Sequence, residues 1–93
     1  MKEIMLITTK GCEGCEIMKN SIKQALALTK KEGITFRQVD IKQLMETNKD
    51  LYNSLKLRDF PTTIFRKYKN IVRKEVGTRP YIVVLRWIDI DFK

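Results

Sequence analysis

Two thiols three residues apart are the most reactive feature of this sequence. The chain has two cysteines, and both lie in the segment Cys12-Glu13-Gly14-Cys15. A disulfide between them would close a very short loop, so it would remove little entropy from the unfolded chain and stabilise the fold only weakly. The spacing suits redox chemistry instead, because one thiolate can attack a disulfide and the second thiol can resolve the resulting mixed disulfide.

Metal binding is the alternative use of this spacing. A Cys-x-x-Cys segment supplies half of a tetrahedral zinc site. The chain contains no further cysteine and no histidine, so a complete site would need carboxylates or a second chain. An iron–sulfur cluster bridged by Cys12 of two copies is a related alternative. The absence of further soft ligands favours redox chemistry over metal binding.

Length and composition predict one globular domain spanning residues 1–93. A hydrophobic fraction of 43% with 32% charged residues is typical of neither a disordered chain nor a membrane protein. The longest apolar run, Tyr81 to Leu85, is far shorter than the roughly 20 residues that span a bilayer. The apolar stretch near the N-terminus is too short for a signal peptide. We therefore expect a soluble, monomeric, cytoplasmic protein without membrane association.

The elements around the cysteine pair can be predicted from hydrophobic spacing. Ile4–Ile7 is a continuous apolar run, typical of a short strand buried on both faces. From Cys15 onward, apolar residues recur every three or four positions, which predicts an amphipathic helix that ends at Gly33. Ile34–Val39 then reads as a second strand. The cysteine pair is thus expected at a strand-to-helix junction.

The remainder of the chain predicts one more helix, a hairpin and a final helix. Thr47–Asp50 resembles a capping box and would start the second helix. A strand follows Pro61, Tyr68–Asn70 forms a turn, and Ile71–Val76 returns as the second hairpin strand. Thr78 is a candidate N-cap for the last helix. The predicted order is β-α-β-α-β-β-α, an α/β fold with a mixed four-stranded sheet and flanking helices.

The helix start predicts different roles for the two thiols. Cys12 would lie at the helix N-terminus, where free backbone N–H groups and the helix dipole lower the pKa of a thiol. Cys15 would lie one turn further and more buried, so Cys12 is the predicted nucleophile and Cys15 the resolving residue. Lys10 would also favour the Cys12 thiolate, whereas Glu13 and Glu16 would oppose it. We expect a Cys12 pKa only modestly below that of a free thiol.

Three motifs and the element order resemble the thioredoxin fold in its short, glutaredoxin-like form. The motifs are Cys12–Cys15 before the first helix, Phe60-Pro61-Thr62 before the third strand, and Gly77-Thr78-Arg79-Pro80 before the last helix. The resemblance covers essentially the whole chain. It implies a dithiol–disulfide oxidoreductase that carries electrons to protein disulfides. It also implies a cis Phe60–Pro61 peptide bond and no cofactor beyond the redox-active cysteine pair.

The resemblance also suggests how substrate and electron donor would be recognised. Lys10, Phe60 and Pro61 would contact the substrate together with the segment Gly77-Thr78-Arg79, and the backbone of Phe60 would pair with an extended substrate chain. That segment is similar to the Gly-x-Arg-Pro of redoxins that reduce ribonucleotide reductase and are recharged by thioredoxin reductase. Val76-Gly77-Thr78 lacks the acidic residue of the glutathione-binding pattern, so thioredoxin reductase is favoured over glutathione as donor.

The net charge of +8 is concentrated in the predicted hairpin. Such a basic hairpin is compatible with nucleic acid, with an acidic protein partner, or with a solvated edge that resists aggregation. No base-reading motif accompanies the charge, so nucleic acid is the least favoured of these partners. A non-enzymatic binding module is the competing hypothesis. The basic residues concerned are Arg66, Lys67, Lys69, Arg73, Lys74 and Arg79.

Overall fold

The computed structural model describes residues 1–93, and its strands form one mixed sheet. The strands are β1 (Lys2–Thr8), β2 (Ile34–Asp40), β3 (Thr62–Lys67) and β4 (Asn70–Val76). Their order in the sheet is β2-β1-β3-β4. β1 pairs in parallel with β2 and antiparallel with β3, and β3 pairs antiparallel with β4. The predicted mixed four-stranded sheet is confirmed.

Four helices flank this sheet. They are α1 (Glu13–Leu28), α2 (Ile41–Thr47), α3 (Lys49–Leu55) and α4 (Tyr81–Asp91). None of them is both long enough and apolar enough to cross a membrane. Because β1 and β2 are parallel, α1 must run back along the sheet between them, which brings its first turn to the end of β1.

Alternate residues of β1 enter two separate apolar layers. Ile4 and Leu6 pack under α1 and α4, whereas Met5 and Ile7 pack under α2 and α3. This explains why the run Ile4–Ile7 is apolar throughout, since all four side chains are fully buried. Complete burial of each such side chain contributes roughly 1.5–3 kcal/mol relative to exposure.

The larger apolar layer lies between the sheet and the pair α1 and α4. Phe65 of β3 stacks on Phe92 with ring centroids 5.2 Å apart and meets Trp87 edge-on at 6.1 Å. This aromatic group fixes α4 against the sheet. The buried residues of this layer are Ile4, Leu6, Met18, Ile22, Ala25, Phe65, Val84, Trp87, Ile88 and Phe92.

The helix predicted from about Thr47 is present as α3, but a further helix, α2, precedes it, so the chain between β2 and β3 forms two helices where one was predicted. The carboxylate of Asp40 accepts a hydrogen bond from the Lys42 N–H at 2.9 Å, so Asp40 caps α2 directly after β2. Asn48 then separates the helices, and its side-chain oxygen accepts from the Leu51 N–H at 3.2 Å. Asn48, and not Thr47, is therefore the cap of the second of these helices.

Two other predicted helix limits also differ. α1 ends at Leu28 and not at Gly33, because the chain turns extended at Thr29. Gly33, with a φ of +75°, lies immediately before β2. Pro80 precedes α4 as its N-cap, and no side chain caps that helix, so the predicted capping role of Thr78 is wrong.

The hairpin turn between β3 and β4 is formed by Tyr68 and Lys69. Both have positive φ, at 54° and 74°. Two consecutive residues of this kind match the right-handed twist of the strands they connect. The Tyr68 N–H also donates to the Met1 carbonyl at 2.9 Å, which ties the turn to the start of the chain.

Candidate active site

Cys12 and Cys15 form a disulfide at the junction between β1 and α1. β1 ends at Thr8, and the chain turns through Gly11, whose φ is +76°. Cys12 has an extended backbone as the N-cap of α1, and Cys15 lies in the first turn, with the two Cα atoms 5.3 Å apart. The sequence predicted the pair at this junction with Cys12 at the N-terminus of the helix, and both predictions are confirmed.

The two sulfur atoms have different surroundings. Cys12 is half-buried, whereas Cys15 is only 6% exposed. The backbone N–H of Cys15 donates to Cys12 Sγ at 3.1 Å. An N–H at a helix start also stabilises a thiolate at the same sulfur. The arrangement therefore suits Cys12 as the attacking sulfur and Cys15 as the resolving one.

The three motifs found in the sequence come together around Gly14. The Phe60–Pro61 peptide bond is cis, as the resemblance implied. A Cβ placed on Gly14 would lie 3.3 Å from Pro61 Cδ and 3.2 Å from Thr78 Cγ2. The Gly77 N–H donates to the Pro61 carbonyl at 2.8 Å. The proline loop and the loop before α4 are thus bonded to each other and pack on the cysteine segment.

The other predicted substrate-binding residues lie at different places around the disulfide. Phe60 is half-buried and packs against the apolar layer beneath α2 and α3. Arg79 folds back on its own loop, where its guanidinium donates to the Thr78 carbonyl at 2.8 Å and lies 4.0 Å from Glu75. Lys10 is exposed in the turn before Gly11. No ion pair joins Lys10 to a carboxylate.

Two neighbouring threonines follow Pro61 and differ in their hydrogen bonding. Thr62 donates from its hydroxyl to the Asp59 carbonyl at 2.7 Å, which closes the proline loop. Thr63 is fully buried, and its hydroxyl has no partner. A buried hydroxyl without a hydrogen bond destabilises the folded chain.

An open cleft of about 480 Å³ borders the disulfide on the side of β2. Both cysteines line it, together with Glu13, Glu16 and Gln38. Sequence reasoning did not select Gln38. The signal that would have found it is the alternation of β2, since Gln38 follows Phe36 and Ile34 on the face that α1 covers.

Most of the arginines in the predicted basic hairpin are bound to carboxylates. Arg66 lies 2.6 Å from Glu3, and Arg73 contacts both Asp91 at 2.6 Å and Glu75 at 2.8 Å. Lys74 donates to the Leu55 carbonyl at 2.6 Å. The hairpin therefore presents less positive charge than its composition suggests, which weakens the case for a polyanionic partner.

The metal-binding alternative has no further ligands near the cysteines. No group of three or more histidine, cysteine, aspartate or glutamate side chains lies together in a geometry that could hold a metal ion. A metal held by Cys12 and Cys15 would thus need ligands from outside the chain.

Comparison with solved structures places the chain among proteins of the thioredoxin fold. Thioredoxin-2, a component of the malaria parasite protein secretion machinery, superposes with a TM-score of 0.75 at 17% identity, covering 96% of this chain and 82% of that protein. Chloroplastic thioredoxin z gives 0.72 at 16% identity, over 96% of this chain and 76% of that one. A further malarial protein gives 0.74 at 16% identity, over 99% and 98%.

These similarities are structural and not sequence-based. No protein-family model and no curated protein matches the sequence. The chain thus has the thioredoxin fold with a disulfide-bonded Cys-x-x-Cys pair at the start of α1.

Proposed function

We propose that this protein is a dithiol–disulfide oxidoreductase that reduces protein disulfides through Cys12 and Cys15. The observation that carries the proposal is the unequal placement of the two sulfurs. One is accessible at a helix start and accepts a backbone N–H, and the other is buried one turn along. Thiol–disulfide exchange needs this division between an attacking and a resolving thiol.

The proposed cycle starts from the reduced protein. The Cys12 thiolate attacks one sulfur of the substrate disulfide, that S–S bond breaks, and the departing thiolate takes up a proton. Cys15 then loses its proton and attacks Cys12 Sγ, which breaks the mixed disulfide and releases the second substrate thiol. The substrate gains two electrons, and the Cys12–Cys15 disulfide seen in the structure is the oxidised product.

The surface beside the disulfide suits an extended substrate chain. Pro61 packs on Gly14, and its carbonyl is already bonded to Gly77, so the free backbone near the cysteines is that of Phe60. We propose that the substrate pairs with the Phe60 backbone while its disulfide meets Cys12. Thr78 and Arg79 would then border the substrate on the side of α4.

The electron donor belongs to the same proposal. Val76-Gly77-Thr78 carries no acid for the glutathione amine, so we propose thioredoxin reductase as the donor and glutathione as the less suitable one. No bound cofactor is needed, because the cysteine pair itself holds the two electrons. We propose that the protein acts as a monomer in the cytoplasm.

The test is turnover of insulin disulfides, run separately with thioredoxin reductase and with glutathione as donor. We expect reduction by the unmodified protein and complete loss of it in Cys12→Ser, because the serine hydroxyl cannot attack a disulfide. Cys15→Ser should instead accumulate a mixed disulfide with the substrate, detectable by mass spectrometry. A Cys12→Ser protein that retains full activity would exclude this mechanism.

A further inference from the structure

The cleft beside the disulfide is separate from the surface around Pro61. Gln38 lies on β2, whereas Pro61 leads into β3, and these two strands flank β1 on opposite sides. A substrate chain paired with Phe60 would leave the cleft on the β2 side free. The cleft therefore offers space for a second part of the substrate, next to the sulfur that leaves.

The charge of this cleft is opposite to that of the whole chain. The protein has 19 basic and 11 acidic residues, yet the residues that line the cleft include Glu13 and Glu16 and no lysine or arginine. Glu16 is paired with Lys19 at 3.1 Å, whereas Glu13 forms no ion pair. The carboxylate of Glu13 thus lacks a cationic partner directly beside the attacking sulfur.

The hydroxyl of Thr8 adds a second polar group to the cleft. Thr8 lines it, is only 7% exposed, and its side chain forms no hydrogen bond within the protein. Unlike the Thr63 hydroxyl, the Thr8 hydroxyl is not enclosed by protein atoms, so it is free to accept a hydrogen bond from a bound molecule. The Gln38 amide lies on the same rim and offers a further carbonyl oxygen.

We infer that the cleft binds a positively charged group attached close to the substrate disulfide, such as an ammonium two or three bonds from the sulfur. The Glu13 carboxylate would pair with the cation, and Thr8 and Gln38 would accept its remaining N–H donors. This inference rests on the proposed function and adds the substrate class. Small aminothiol disulfides carry such a group close to the sulfur, and in a peptide a lysine beside the cysteine can bring its ammonium to the same place at the end of a longer side chain.

The chemistry of the step is unchanged. Cys12 attacks the substrate sulfur nearer to it, the S–S bond breaks, and the sulfur that carries the cation departs as a thiolate and takes up a proton. Cys15 then completes the exchange, so the substrate gains two electrons and the cysteine pair loses them. The cleft only holds the leaving portion.

The test compares three small disulfides that differ in charge: cystamine (cationic), bis(2-hydroxyethyl) disulfide (neutral) and 3,3′-dithiodipropionate (anionic). The rate with the reduced protein is divided by the rate with dithiothreitol, which removes differences in intrinsic reactivity. The net charge of +8 by itself would favour the anionic compound. We expect the cationic compound to react faster than the anionic one after this correction.

Two variants separate the cleft from the overall charge. Glu13→Gln should lower the cationic-to-anionic ratio by about two- to fivefold, the scale of an exposed ion pair. Glu46→Gln removes one negative charge from an exposed position of α2 that forms no ion pair, and it should leave the ratio unchanged. Because each ratio uses one protein, a change in Cys12 reactivity cancels.

A parallel pair of peptide disulfides, with lysine or glutamate beside the cysteine, identifies the source of the cation. A faster reaction of the cationic compound than of the anionic one supports the inference. It assigns the cation to small aminothiols when it is seen among the small disulfides, and to peptides when it is seen in the peptide pair. No cationic preference in either pair, or a preference unaffected by Glu13→Gln, overturns it. Failure to reduce even the neutral disulfide would overturn the proposed function itself.

Discussion

Cys12 experiences opposing electrostatic influences at the start of α1. The Cys15 N–H donates to its sulfur at 3.1 Å and the helix dipole favours negative charge there, whereas Glu13 and Glu16 occupy the first turn. Carboxylates beside a thiol disfavour the thiolate. Reactivity at this residue is therefore set by a balance within one helical turn.

The balance predicts a thiolate that forms only slightly more readily than that of a free thiol. Titrating the rate of iodoacetamide alkylation of the reduced protein should give a midpoint modestly below about 8.5. Glu13→Gln should move this midpoint to lower pH, and Glu46→Gln should not. A midpoint near or below about 5 would contradict the prediction, since only strongly activated thiols reach that range.

The hydrogen bonding of Thr62 and Thr63 predicts opposite effects for the same substitution. Thr62→Val removes the 2.7 Å bond to the Asp59 carbonyl and should lower the free energy of unfolding by about 1 kcal/mol. Thr63→Val removes a buried hydroxyl without a partner and should raise it by about 1 kcal/mol. Urea unfolding of the oxidised proteins measures both. Equal destabilisation by the two variants would show that the Thr63 hydroxyl is bonded after all.

At the scale of elements, Arg73 connects β4 to α4. Its Nε donates to the Asp91 carboxylate at 2.6 Å, its Nη1 donates to Glu75 at 2.8 Å, and the guanidinium lies 5.0 Å from the Trp87 ring centre. The hydrogen bond to Asp91 is the main reason that the pKa of Arg73 is raised. Because the pKa of Arg73 is higher in the folded chain than in the unfolded one, its protonation stabilises the fold at every pH below the unfolded-state pKa. An arginine pKa lies far above neutrality, so this contribution is constant across the neutral range.

Removing this connection should destabilise the protein. Arg73→Ala leaves the Asp91 carboxylate, 8% exposed, without its cation, and we expect a loss of about 2 kcal/mol in the free energy of unfolding. Arg86→Ala is the matched control, because Arg86 is an exposed residue of α4 without an ion pair, and it should change stability by less than about 0.5 kcal/mol. Equal effects of the two substitutions would mean that Arg73 is merely a surface charge.

For the whole molecule, the net charge of +8 predicts a response to salt. Self-repulsion destabilises a compact chain, and raising sodium chloride from about 0.01 to 0.15 M shortens the Debye length from about 30 to 8 Å. The urea midpoint should therefore rise over this range. The partly buried pairs of Arg66 and Arg73 are screened less than exposed charges, so they should not reverse the trend. A midpoint that falls with salt would show that ion pairing outweighs repulsion.

Patterns within short segments predicted most of the elements. The apolar run Ile4–Ile7 indicated β1 because burial on both faces needs apolar side chains at every position. The helical spacing after Cys15 indicated α1. The helix α2 was missed, because its start depends on the side chain of Asp40, and Asn48 separates it from α3 as the cap of that next helix. Asp40 serves as the end of β2 and as a cap at once, and its place in the chain does not reveal the second role.

The sequence by itself determined the reactive pair, its place at a strand-to-helix junction and the apolar pattern of the sheet, since each depends on residues close together in the chain. Only the tertiary structure decided what surrounds the pair. Pro61 and Thr78 meet Gly14 on one side, and Gln38 and Thr8 form the cleft on the other. These neighbours come from separate strands and loops, and the order of the strands in the sheet brings them together. The same packing pairs the hairpin arginines with carboxylates, which their clustering in the sequence did not indicate.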